Sequence, residues 1–289
     1  MREVRIALDA GGRDGYTGDM ARAGSPLVPL RSSKRMRIEP FGRVLVPTGA
    51  RVALPPGCGG FVVTEAAIAR HGLMFANAPG LIDEGYRGEV GLAAVNFDAS
   101  DPIDIGRGDL LAYMLVLETA RCRVATIGES DEQRQAERGD EMAVEPIVSV
   151  AIHDEMAGAP AYAHEMDNGM DLRCAEAFHL EPFERREVRL GIGIGLSYGL
   201  IAQIQPRSGL ALKQGLSVAG SPLILESPRV EDELVVPFVN LDPSEPIDIE
   251  AGTRVAQLVI FHADPVDIRV VDSLEDTDRG SGGFGSTGV

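Results

Sequence analysis

Short apolar runs broken by glycine and proline recur along this chain. Arg43-Val44-Leu45-Val46 runs into Pro47-Thr48-Gly49, and Arg51-Val52-Ala53-Leu54 into Pro55-Pro56-Gly57. From Glu187 to Leu196 the pattern alternates at period two through Val188, Leu190, Ile192 and Ile194. Successive side chains of a strand point to opposite faces, so this alternation predicts one strand with a buried face. Ile147 to Ile152 reads as another strand, with a loop after it. Many short strands with turn signals between them predict an all-β sandwich or barrel.

The pattern also repeats. Val95-Asn96-Phe97-Asp98, Pro102-Ile103-Asp104-Ile105, Gly108 and Ala112 recur as Val239-Asn240-Leu241-Asp242, Pro246-Ile247-Asp248-Ile249, Gly252 and Ala256, at a constant offset of 144. Upstream, Gly49 and Gly57 map to Gly191 and Gly199 at 142, and His71-Gly72-Leu73 to Gln214-Gly215-Leu216 at 143. A solenoid repeat is about 20–50 residues, so this period is a whole domain. The polar segment Gly128 to Asp140 lies between the copies and reads as a linker. The expected division is an N-terminal domain 1–127, an acidic linker 128–145, a C-terminal domain 146–272 and a Gly-rich arm 273–289.

Composition narrows the function. The chain has 289 residues, with 27 Lys and Arg against 44 Asp and Glu, a formal charge of −17. Non-specific nucleic-acid binding needs Lys and Arg against phosphates, so no nucleic-acid partner is expected. Any phosphate site must instead be locally basic. The three cysteines, Cys58, Cys122 and Cys174, form no CxxC pattern, so neither a zinc site nor a disulfide framework is indicated. No apolar run of about 18 residues and no signal-peptide pattern occur, so no membrane partner is expected and the compartment is cytosol-like.

Four segments carry candidate chemistry. Pro206-Arg207-Ser208-Gly209-Leu210-Ala211 sets an arginine and a hydroxyl beside a glycine that lets backbone approach a ligand. Thr253-Arg254-Val255-Ala256-Gln257-Leu258 puts a second arginine on a strand. The tail from Arg279 to Gly288 is glycine-rich, with Phe284, Ser286 and Thr287, but lacks P-loop spacing. Asn77 to Val90 contains Pro79-Gly80 and reads as a hairpin presenting Asn77, Asp83 and Tyr86. Each segment read alone is also an ordinary turn, strand or tail.

Together they resemble the dUTPase family, the dUTP pyrophosphatases. Gly169-Met170-Asp171-Leu172-Arg173 resembles its first motif and Pro206 to Ala211 its second. Asn77 to Val90 resembles the third, Arg254 to Leu258 the fourth and Arg279 to Gly288 the fifth. The resemblance implies two tandem distorted β-barrels of jelly-roll type with a flexible C-terminal arm. It implies hydrolysis of dUTP to dUMP and pyrophosphate by water attack on the α-phosphorus, with Mg²⁺ as cofactor. Asp83 would be the general base. Asn77 and backbone near Gly80 would read uracil, and Tyr86 would pack on the deoxyribose. Arg207, Ser208, Gly209, Gln257, Arg279, Ser286 and Thr287 would bind the phosphates, Phe284 would close over the base, and Asp171 would hold Mg²⁺ through water. Arg254 would contact phosphate or serve as a structural partner of the tail.

The copies have lost different parts. Opposite Arg207-Ser208 the first copy has Glu65-Ala66, and opposite Arg254 and Gln257 it has Leu110 and Tyr113. Opposite Asn77, Gly80 and Asp83 the second copy has Gly220, Leu223 and Glu226. One composite site per chain is the simplest account, and a monomer is expected. This order of motifs is similar to the duplicated dUTPases of herpesviruses, which would allow a nuclear location, whereas the spelling is similar to bacterial trimeric enzymes. Two other readings are a dCTP deaminase and a dUTPase-like regulatory protein without turnover. The deaminase family carries a Glu three residues before an Asn, but Ala93 precedes Asn96 and Pro237 precedes Asn240 here.

Overall fold

The computed structural model describes residues 3–9, 27–69, 71–127, 146–226 and 229–263. The expected linker 128–145 and arm 273–289 lie outside them, and so do Arg279, Phe284, Ser286 and Thr287. The described residues form an all-β protein whose two short helices are α1 (Ala66–Ala69) and α2 (Ser208–Gln214).

The two copies repeat the same layering. In the first, one sheet orders the strands Leu27–Arg31, Leu110–Glu118, Cys58–Thr64 and Gly80–Ile82, and another orders Arg5–Leu8, Arg43–Ala53, Glu89–Asn96 and Leu73–Phe75. The second copy matches the former with Gly169–Arg173, Arg254–His262, Leu200–Pro206 and Leu223–Glu226, in that order. Each copy encloses its own core. Leu30, Val46, Leu92, Leu111 and Met114 fill the first, and Met170, Leu172, Val188, Ile204 and Phe238 the second.

The best-matched stretch of the repeat has a structural cause. Asn96 is fully buried and donates its Nδ2 to Ile38 O (3.1 Å) and Asp101 O (2.9 Å) while its Oδ1 accepts from Asp98 N. Asn240 does the same with Leu180 O, Glu245 O and Asp242 N. Each side chain closes a turn and satisfies buried backbone, so the identity of these residues reports folding, not chemistry.

One expectation changes. The alternating run from Glu187 to Leu196 is two strands, Arg185–Arg189 and Ile192–Leu196, because Gly191 adopts a φ of 67° that breaks the extended chain. The end of the first copy packs on the second. Ala120 donates its N–H to Ile260 O (2.8 Å), and Ala120 and Cys122 lie in the second core. The strand Arg123–Thr126 then pairs parallel with Ile147–Ile152.

The copies meet across equivalent positions. The rings of Phe41 and Phe183, at the 142 offset, lie 5.4 Å apart. Phe97 and Leu241 pack together against a buried cluster of Ala76, Val95 and Ala211. Arg43 Nη2 reaches Asp242 Oδ2 at 2.6 Å, with both side chains largely buried.

A candidate active site between the two copies

The second copy supplies a helix start. Arg207 stands at the N-cap of α2 in extended conformation and makes no side-chain cap. Gly215 ends the helix at φ 82°, with its N–H on Ala211 O and Leu210 O. Ser208 is therefore free to face the first copy, where Asn77 Nδ2 donates to its hydroxyl at 2.9 Å. A side chain at Gly209 would meet nothing within 4 Å, so its backbone is open to a ligand. The first copy has the opposite polarity here. Glu65 caps α1 itself, accepting from Ala67 N (2.7 Å) and Ile68 N (3.1 Å). A carboxylate fills the position that Arg207 holds in the other copy.

The first copy supplies the hairpin. The strand Gly80–Ile82 pairs with Cys58–Thr64 and carries the chain to Asp83. A cavity of about 250 Å³ lies under it, lined by Asn77, Gly80, Asp83 and Tyr86 from one side and by Ser208 and Leu212 from the other. The Tyr86 hydroxyl donates to Glu89 O at 2.7 Å, and the residue lines the cavity. Asp83 Oδ1 accepts from Asn168 N of the second copy at 2.7 Å. Burial pushes the Asp83 carboxyl above the usual carboxylate range; Asp167 and Asp171 add to this, against the N–H groups of Asn168 and Gly169.

Asp171 anchors the basic side. Its Oδ2 accepts from Arg254 Nη1 at 3.0 Å. Its Oδ1 lies 2.9 Å from Arg207 Nε, an ion pair without hydrogen-bond alignment. Arg207 Nη1 also donates to Arg254 O at 3.2 Å. Asp171, Gln257 and Gln205 stand opposite one another across three strands, so they share a sheet face. The corresponding pair in the first copy is Pro29 opposite Tyr113, which removes the carboxylate as well as the glutamine.

Of the expected site residues, the structure gathers Asn77, Gly80, Asp83 and Tyr86 with Ser208, leaves Gly209 next to Ser208 and open, and sets Arg207, Gln257 and Asp171 in one cluster beside them. Three further residues belong to the site without having been expected. Asn168 links the hairpin to the second copy, Thr119 anchors Asn168, and Gln205 lies under the arginine cluster with its Nε2 buried and unpartnered among the described residues. A polar residue at alternate positions of an otherwise apolar strand, Gln203 and Gln205, was the available signal.

An apolar pocket with a half-buried carboxylate, beside an arginine-bearing turn, defines an all-β protein with a cavity suited to an anionic, partly apolar small molecule. Comparison gives the particular family. Residues 21–143 and 155–288 each match the dUTPase family model, and the chain belongs to that family. The deoxyuridine 5'-triphosphate nucleotidohydrolase of Cutibacterium acnes is 40% identical over 143 residues, covering 50% of this chain and 91% of that protein. The one from Thermobifida fusca is 46% identical over 129 residues, 45% of this chain and 72% of that protein. Among solved structures, the Staphylococcus bacteriophage 80alpha dUTPase with dUPNHPP is similar at 24% identity and a TM-score of 0.44, covering 49% of this chain and 98% of that one.

Proposed function

We propose that this chain hydrolyses dUTP to dUMP and pyrophosphate at one composite site, with the base-reading hairpin from the first copy and the phosphate grip from the second. The observation that carries the reading is the Asn77–Ser208 hydrogen bond, which joins the two half-motifs in one chain. The duplicated family match and the relatives named for dUTP hydrolysis support the substrate.

Asp83 takes a proton from the attacking water, a task suited to a carboxylate whose pKa is raised by burial. Arg207, Ser208 and Gln257 hold phosphate oxygens, where positioning and charge stabilisation dominate phosphoryl transfer. Arg279, Phe284, Ser286 and Thr287 complete the site from the arm in this reading. Asn77 and the Gly80 backbone select uracil, and Tyr86 packs on the sugar.

The residues fit Mg²⁺ held mainly by the substrate. Among the described residues no three His, Cys, Asp or Glu side chains gather as a metal cage. Asp171 is a single carboxylate with one arginine at each oxygen. A carboxylate has about four acceptor sites, so about two remain for metal-bound water. Mg²⁺ keeps several waters and takes one or two carboxylates plus phosphates, and when bound it neutralises phosphate charge.

Deamination is disfavoured because Ala93, at the place of the deaminase glutamate, lines the cavity with a methyl group. The test is pyrophosphate release from dUTP, dTTP, dCTP and UTP, with and without Mg²⁺, with ammonia monitored in parallel. Pyrophosphate from dUTP alone, Mg²⁺-dependent and without ammonia, is the expected result. Ammonia from dCTP, or no turnover of any nucleotide, would overturn the reading.

A further inference from the structure

Asn168 makes three hydrogen bonds to the first copy and the crossover. Its backbone N–H donates to Asp83 Oδ1 (2.7 Å), its Oδ1 accepts from Glu84 N (2.7 Å), and its Nδ2 donates to Thr119 Oγ1 (2.8 Å). Asn168 and Thr119 are both buried, at 8% and 9% exposure. Thr119 is tied in turn, with its N–H on Gly57 O at 3.0 Å. Gly57 N donates to Glu84 Oε2 (2.8 Å). One second-copy residue thus grips two consecutive hairpin residues, Asp83 through its backbone and Glu84 through its side chain, and also the crossover between the copies.

We propose that Asn168 is a positioning residue that fixes the Asp83 carboxylate for attack, acting from the opposite copy through the Glu84 backbone and the Thr119 anchor. The proposal deepens, and rests on, the reading of Asp83 as the base. Asn168 lines no part of the cavity under the hairpin. It therefore contributes to the turnover step and not to substrate affinity. Without the side chain, the hairpin keeps its strand pairing through Gly80–Ile82 but loses the bond that sets the register of Asp83 against Asn168 N–H. A displacement of about 1 Å at a reacting group can cost roughly a hundredfold in rate.

The experiment is a double-mutant cycle on kcat and KM for dUTP, with Asn168→Ala, Thr119→Val and the pair, assayed well below each variant's Tm. Asn168→Ala is expected to lower kcat roughly tenfold to a hundredfold with KM changed less than about twofold. Thr119→Val should lower kcat less, and the pair should be no worse than Asn168→Ala alone, because the two act through one chain of bonds. Binding of a non-hydrolysable dUTP analogue should stay within about twofold in all three. Native kcat in Asn168→Ala, or equal loss of kcat and analogue binding, overturns the proposal. Asp83→Asn run alongside separates the two readings. If Asp83→Asn turns over normally the base assignment fails, whereas an inactive Asp83→Asn beside a fully active Asn168→Ala sinks the positioning role alone. If Asn168→Ala does not fold, the proposal stands or falls on whether Thr119→Val lowers kcat at constant KM.

Discussion

Asn77 donates its side-chain amide to Ser208 Oγ across 2.9 Å, though 131 residues separate them in the chain. The contact ties the residue expected to read the base to the hydroxyl expected to bind phosphate. The amide has a second N–H and an oxygen to offer uracil, so the contact is compatible with bound substrate. Asn77→Ala should therefore weaken both dUTP and deoxyuridine-type inhibitors, and Ser208→Ala chiefly the triphosphate. A hydrogen bond to a charged group contributes about 1.5–3 kcal/mol, so KM for dUTP should rise roughly tenfold or more in Ser208→Ala. Inhibition constants for deoxyuridine and its phosphates check the split. Equal weakening of all of them by Ser208→Ala would refute it.

Asp83 sets a pH dependence of both rate and stability. Burial holds its carboxyl above the usual range, so kcat should fall as pH drops through that raised value, earlier than for an exposed aspartate. Stability runs the other way. A folded-state pKa above the unfolded one contributes stability at pH below the unfolded pKa, and this is lost as pH rises through the folded pKa. At neutral pH the ionised, half-buried carboxylate is a cost. Asp83→Asn should be inactive yet raise Tm at pH 7, with the gain shrinking in acid. Thermal melts across pH decide it, and a Tm no higher than that of the native chain at pH 7 would contradict the argument.

The seam between copies has its own anchor in Arg43 and Asp242, paired at 2.6 Å with 13% and 14% side-chain exposure. Arg43 lies against Gly215, where any side chain would collide with its guanidinium. Removing one partner of a largely buried pair strands the other, at a cost of about 3 kcal/mol. Arg43→Ala and Asp242→Asn should each lower Tm, and the double variant should cost less than the sum. Denaturant melts of the four proteins measure the coupling. Simple additivity would mean that the pair does not act as a unit.

Local chemistry was readable in the sequence and cross-copy geometry was not. Asp83 and Arg207 stand in short segments whose residue types already fit a base and a phosphate grip, so motif reading reached them. Asn168 sits beside Gly169 with no local sign of its role, because its partners Glu84 and Thr119 come from the other copy and the crossover. The packing of Ala120 and Cys122 on the second copy was hidden for a similar reason. Ala120 and Cys122 continue an ordinary apolar pattern, and nothing in that pattern says which of two cores receives them. That Asp171 is lost as Pro29, opposite the Tyr113 that replaces Gln257, became visible only through strand register.

A composite site within one chain makes a sharp statement about complementation. Asp83 reaches Asn168 N in the same chain at 2.7 Å, and Arg207 pairs with Asp171 in the second copy. The first copy's own helix start carries Glu65, which would repel phosphate. An Asp83→Asn chain therefore has no second base to offer, and an Arg207→Ala chain no second grip. Mixing the two purified variants should leave dUTP hydrolysis at the sum of their separate residual rates at every ratio. If sites instead formed between chains, an Arg207→Ala first copy could lend Asp83 to an Asp83→Asn second copy. Activity would then rise toward about a quarter of native on mixing, the statistical share of intact pairings when halves exchange freely, and the single-chain site would have to be abandoned.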